Sequence, residues 1–164
     1  MRPRKTKDMY RAIDKANEIS QEFGSDLDQI TDSLGLIVLE EKFKGPMKEI
    51  SFSDSIVLDK DLSVRERREL IAHALCHHLL HAGNHWSQYK RVYSFGNYHE
   101  KQADAFAACL LMPSNEFQKF IKDRPRLDQV ANHFQVTEKL AKLRFKIWIN
   151  FEKGLNGRSA ARIG

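Results

Sequence analysis

The sequence predicts an α+β fold: a mainly helical domain carrying one small antiparallel sheet at about residues 36–58, with a C-terminal helical segment that has a helix-turn-helix-like pattern. Three observations predict it. Apolar residues recur at spacings of three and four through most of the 164-residue chain, as the helical repeat requires. β-Branched residues gather in one short stretch before residue 60, where strands are expected. Caps and breakers (Gly24, Gly35, Gly45-Pro46, Ser63, Pro113) fall between these segments rather than inside them.

In order along the chain, residues 1–7 read as a basic tail, with Arg2, Arg4, Lys5 and Lys7. Residues 8–23 form an amphipathic helix whose apolar face is Met9, Ala12, Ile13, Ala16, Ile19 and Phe23. Gly24 stops it, Ser25 or Asp26 caps a second short helix, and Gly35 ends that one. Leu36-Ile37-Val38-Leu39 is a strand, and residues 48–52 and 55–58 are two more, joined around Ser53-Asp54. Ser63 with Glu66 three residues later is a capping-box signature, opening a helix that runs to about His81. A loop rich in Gly, Asn, Ser and aromatic residues follows at 82–98, then a helix from about His99 to Leu111. The organisation expected is a core over residues 8–113, a helical segment over 114–153 packed on it, and a loose tail over 154–164.

Composition narrows the class. A 41% apolar and 30% charged chain is that of an ordinary globular protein, and it is long enough to bury a core. The net charge of +5 permits an acidic partner, but much of it lies in the N-terminal tail. Cys76 and Cys109 belong to no CxxC pair, which excludes a zinc ribbon and a disulfide framework and suits a reducing compartment. The longest apolar stretch, residues 103–112, is too short to span a bilayer and contains Asp104, so no membrane partner is expected. The N-terminus has charge without a following apolar run, and the expected location is the cytoplasm.

The chemistry is concentrated in residues 73–104. His73 and His77 are four apart, so on a helix their imidazoles leave one face and can meet one cation. Leu70, Ile71, Leu75 and Leu79 lie largely elsewhere around the helix and anchor it in the core. Glu100 and Asp104 repeat the four-residue spacing on the next long helix. Glu100 is the candidate third ligand, and Asp104 can accept a hydrogen bond from the non-ligating nitrogen of a metal-bound His. Two His and one Glu with a position left open suit zinc. His81, four past His77, extends the same face as a group of the ligand shell or one that touches substrate. In the zinc-peptidase pattern H-E-x-x-H the second residue is the general base, but here it is Ala74. Glu69 shares the His73 face, but its side chain leans toward the helix N-terminus.

These motifs resemble the ImmA/IrrE family of metallo-endopeptidases, whose hallmark helices read AHELGHxLLH and ExxANxFAAxLLMP. Here they stand as Ala72-His73-Ala74-Leu75-Cys76-His77-His78-Leu79-Leu80-His81, and as Glu100 through Phe106-Ala107-Ala108-Cys109-Leu110-Leu111-Met112-Pro113. The resemblance covers roughly residues 8–150. It implies His73, His77 and Glu100 as zinc ligands, and a protein substrate, a helix-turn-helix repressor whose cleavage relieves repression. Ala74 and Cys76 depart from the pattern at the base and at a common Gly.

Three functions are compatible with this pattern. The first is a repressor-cleaving zinc endopeptidase whose base has been removed, by design or otherwise, leaving an inactive chain. The second is a natural pseudoprotease that sequesters a repressor without cutting it. The third is a DNA-binding regulator that uses residues 127–146, where Lys139, Lys142, Arg144 and Lys146 charge a second helix and the metal is structural. A helical hairpin packed on the core, with Trp148, Ile149 and Phe151 as its apolar contacts, is the plainer reading of that segment. The strands at 36–58 offer an edge for an extended substrate.

Overall fold

A computed structural model describes residues 4–81 and 98–153, with side chains from residue 7 onward. The predicted loop at 82–97 with His85, the predicted tail at 154–164 and Arg2 lie outside the described residues. Seven α-helices and three strands are found among those described: α1 (Arg4–Phe23), α2 (Leu27–Ser33), β1 (Ile37–Glu41), β2 (Glu49–Ser51), β3 (Ser55–Asp59), α3 (Val64–Leu80), α4 (Tyr98–Leu111), α5 (Ser114–Phe120), α6 (Leu127–Phe134) and α7 (Glu138–Ile147). A 3₁₀ turn follows α5 at Ile121–Asp123, and a π-helical turn follows α7 at Trp148–Glu152. The fold is thus mainly helical α+β, as the periodicity predicts.

Helix ends follow the local chemistry. Asp26 caps α2 by accepting the Gln29 N–H at 3.1 Å. The far end closes as a Schellman motif: Leu36 N–H reaches Thr31 O at 2.9 Å and Gly35 N–H reaches Asp32 O at 3.0 Å. Gly35 takes the left-handed conformation this closure needs, at φ +65°. Ser63 and Glu66 form the capping box of α3, and Lys48 bonds Glu66 from the neighbouring strand region. These contacts hold the Glu66 carboxyl down to about 2, with the Lys48 hydrogen bond the largest cause. At its other end the first helix extends beyond the sequence expectation. It opens at Arg4, so the stretch read as a tail is partly helical.

The sheet corrects one expectation. Its order is β1-β3-β2: β2 pairs antiparallel with β3, but β1 pairs parallel with β3, from Ile37 opposite Ser55 to Glu41 opposite Asp59. The sheet is therefore mixed, not antiparallel. A parallel pair needs a crossover of about a dozen residues or more, and residues 42–54, which include β2 itself, supply it. Strand content is legible in composition, whereas strand direction depends on how the connection folds back. β3 is the central strand, with Ile56 and Leu58 fully buried, whereas edge strand β1 leaves Ile37 and Leu39 exposed.

α4 is the central helix, packed by α1, α3 and α7. Its run of Ala103, Ala105, Phe106, Ala107, Ala108, Cys109, Leu110 and Leu111 is buried all round, and the small side chains let its neighbours approach closely. The C-terminal hairpin is clasped to α3. Arg65 donates to Val136 O at 3.2 Å and to Asn132 Oδ1 at 2.7 Å, and Glu69 accepts the Thr137 N–H at 2.5 Å and its hydroxyl at 3.1 Å. Burial pushes the Glu69 carboxyl above its usual range, with the Thr137 bonds opposing.

Arg144 is not a surface charge of the second helix. It is fully buried, pairs with Glu152 at 3.0 Å, and donates to Met112 O at 2.9 Å and Ser114 Oγ at 3.2 Å. The π-helical turn brings Glu152 back to it. Trp148 and Phe151 pack on the core as expected, but Ile149 is exposed. Among the described residues no helix is long and apolar enough to cross a membrane.

Candidate metal centre

α3 and α4 lie side by side and carry the predicted polar groups into one place. His73 and His77 leave α3 one turn apart, and Glu100 comes from the first turn of α4. One ligand atom from each lies within 4.8 Å of the others. His73 Nε2 is 3.0 Å from Glu100 Oε2 and 3.2 Å from His77 Nε2, and His77 Nε2 is 3.4 Å from Glu100 Oε1. Ligands about 2.0–2.1 Å from one ion at tetrahedral angles would stand about 3.3–3.4 Å apart. The triangle is already close to that size. Two imidazole nitrogens and a carboxylate oxygen are a donor set that fits a zinc-like cation.

The two histidine rings are held from behind. Asp104, one turn along α4 from Glu100, places Oδ1 3.0 Å from His73 Nδ1. His81 places Nδ1 3.0 Å from His77 Nδ1. The sequence spacing therefore brings together all five polar residues it singles out. Both histidines are mostly buried, while Glu100 and Asp104 are partly open to solvent.

Without a cation, His73 sits between two carboxylates. Burial pulls its pKa down, but hydrogen bonds to Asp104 and Glu100, together with the charges of Glu100 and Glu49, overcome this and raise it to about 9. Glu49 belongs to β2, so a strand residue contributes to the field at the site. Sequence reasoning missed it because no spacing rule links a residue on a strand to one on a helix when another strand, β3, lies between them.

Ala74 is fully buried within the core cluster. Its methyl neither accepts nor donates a proton. The carboxylate of Glu69 is engaged by Thr137 at the start of α7. Cys76 and Cys109 are buried, and burial pushes the Cys109 thiol up to about 12, which leaves it inert as a nucleophile.

Sequence reasoning also missed Gln102. It is buried, 4% exposed, and bonds both His81 and the backbone of α1. The available signal was a polar residue flanking Ala103, at the edge of the apolar run that continues to Leu111.

Comparison with known proteins bears on the same residues. Residues 31–146 match the Peptidase_M78 family, described as the IrrE N-terminal-like domain. That span contains every residue of the triangle. No curated protein matches the chain.

Proposed function

The chain belongs to the IrrE N-terminal-like peptidase family, and from that premise we propose that it is a zinc-dependent endopeptidase-type domain whose substrate is a helix-turn-helix repressor. In this proposal the chain as written holds metal and substrate but cuts slowly or not at all. The observation that carries it is the triangle of His73, His77 and Glu100, with Ala74 beside it on α3. The repressor as substrate follows from the family resemblance, and a cytoplasmic location from an N-terminus that carries charge without a following apolar run.

His73 and His77 would hold the ion through Nε2, and Glu100 through its carboxylate. Asp104 would fix the His73 ring by accepting its Nδ1–H. When bound, zinc supplies Lewis acidity toward a peptide carbonyl and toward water. The chain must still remove a proton from the attacking water and deliver one to the leaving amine. In H-E-x-x-H enzymes the Glu does both, and Ala74 can do neither. Glu69 is committed to Thr137. Loss of a positioned general base costs ~10²–10⁴ in rate, or ~3–5 kcal/mol of transition-state stabilisation.

A second reading has a specific observation in its favour. Ala74 is fully buried, so α3 packs as a helix built around a methyl at that position. A natural pseudoprotease that sequesters its repressor would look like this. The DNA-binding reading is weaker. Lys139, Lys142 and Lys146 are exposed on α7, but Arg65 and Glu69 clasp the turn that leads into it, and Arg144 faces inward.

The test compares the chain with its Ala74→Glu variant, each mixed with a repressor encoded beside its gene. The expected result is intact repressor retained by the first and chelator-sensitive fragments from the second. Full-rate cutting by the unaltered chain would refute the assignment of the base. A zinc-loaded, repressor-binding Ala74→Glu protein that cuts nothing would favour the pseudoprotease.

A further inference from the structure

We infer that His81 and Gln102 are positioning residues for the metal centre, forming a hydrogen-bonded relay that runs from the backbone of α1 to His77 and fixes which nitrogen His77 presents to the ion. The inference rests on the reading of His77 as a ligand.

The relay can be assigned from its outer end, where the chemistry leaves no choice. The carbonyl oxygen of Asp8 only accepts, and Gln102 Nε2 lies 2.8 Å from it. The amide nitrogen of Gln102 therefore faces α1, and a flipped amide would set oxygen against oxygen. The Gln102 Oε1 that remains also only accepts. It lies 3.2 Å from His81 Nε2, so that nitrogen carries a hydrogen and donates it. A neutral His81 then has its lone pair on Nδ1, which is 3.0 Å from His77 Nδ1. His77 must donate across that gap from Nδ1–H, which leaves its Nε2 lone pair free to point at His73 Nε2 and Glu100.

One backbone carbonyl thus sets the tautomer of a ligand two side chains away. The burial of Gln102, at 4% exposed, keeps water from offering an alternative partner. Asp104 fixes His73 directly through Nδ1, and the relay does the same for His77 through a longer path. Together they orient both imidazoles before metal arrives, so less ordering is left to the binding step. The path also ties the site to α1, an element that contributes no ligand.

The experiment measures zinc affinity by competition with a chromophoric chelator for the unaltered chain, His77→Ala, His81→Phe, His81→Asn and Gln102→Leu. His81→Phe fills the space without an acceptor, while His81→Asn places an amide oxygen near the site of Nδ1. The relay predicts affinity ~10–100-fold weaker in His81→Phe and Gln102→Leu, and largely kept in His81→Asn. A packing role for His81 predicts the reverse order of Phe and Asn. Nitrogen NMR of the unaltered zinc-loaded chain is independent of how the variants fold. It should show His77 protonated at Nδ1 and His81 at Nε2. Unchanged affinity in His81→Phe, or the opposite tautomers, would overturn the relay. Unchanged affinity in His77→Ala would instead overturn the ligand assignment beneath it.

Discussion

Asp104 Oδ1 lies 3.0 Å from Nδ1 of His73, on the far side of the ring from the nitrogen that faces Glu100. The pair joins α3 to α4 at the centre of the site. It also makes Asp104 separable from Glu100 by mutation, because the two carboxylates meet different ring nitrogens. Asp104→Ala should weaken zinc binding ~10–100-fold with the fold intact. Asp104→Asn should keep most of the affinity, because its amide oxygen can still accept the Nδ1–H. Chelator competition alongside circular dichroism checks both variants. Unaltered affinity in Asp104→Ala would make Asp104 a surface residue.

Protons and metal should compete at His73. In the metal-free chain its pKa stands at about 9, against 6.5 for an ordinary imidazole. A group raised on folding contributes stability that is fully present below its unfolded value and lost as pH climbs through the folded one. The metal-free chain should therefore lose this contribution between pH 6.5 and about 9. Zinc needs the deprotonated ring, so its apparent affinity should rise about tenfold per pH unit across the same window. Thermal midpoints with chelator, and zinc titrations at several pH values, measure the two trends. A zinc affinity flat over that window would contradict the protonation assigned to His73.

The buried pair Arg144–Glu152 should govern the stability of the C-terminal helices. Arg144 also lies over the Phe117 ring, 4.5 Å from its centroid, and bonds the backbone at the end of α4. Glu152→Ala removes the counter-charge from a fully buried guanidinium and should cost about 3–5 kcal/mol. Replacing both partners, as Arg144→Met with Glu152→Leu, should recover much of that loss. Urea unfolding measures each variant, and a cost below about 1 kcal/mol for Glu152→Ala would show that the pair is dispensable.

Much of this site was legible in the sequence because its logic is local. His73 and His77, and Glu100 and Asp104, each lie one helical turn apart, and one turn is what the helix converts into a shared face. The capping box at Ser63 and Glu66 and the stop at Gly35 are equally local, and both formed as expected. What was not legible depends on contacts between distant segments. The parallel pairing of β1 with β3 is set by the path of residues 42–54, and the field of Glu49 at His73 depends on that same path. Arg144 read as a surface charge, and Gln102 drew no reading at all, because their partners, Glu152 and Asp8, become neighbours only after packing. Charge counted along α7 overstated its basic face for this reason.

The central claim is that His73, His77 and Glu100 form one zinc site. It is tested most directly by the metal content of the purified chain beside that of His77→Ala, with circular dichroism to establish that both are folded. The account predicts one zinc per unaltered chain and little or none in the variant, since two remaining ligands hold the ion poorly. Equal zinc content in the two proteins would contradict it.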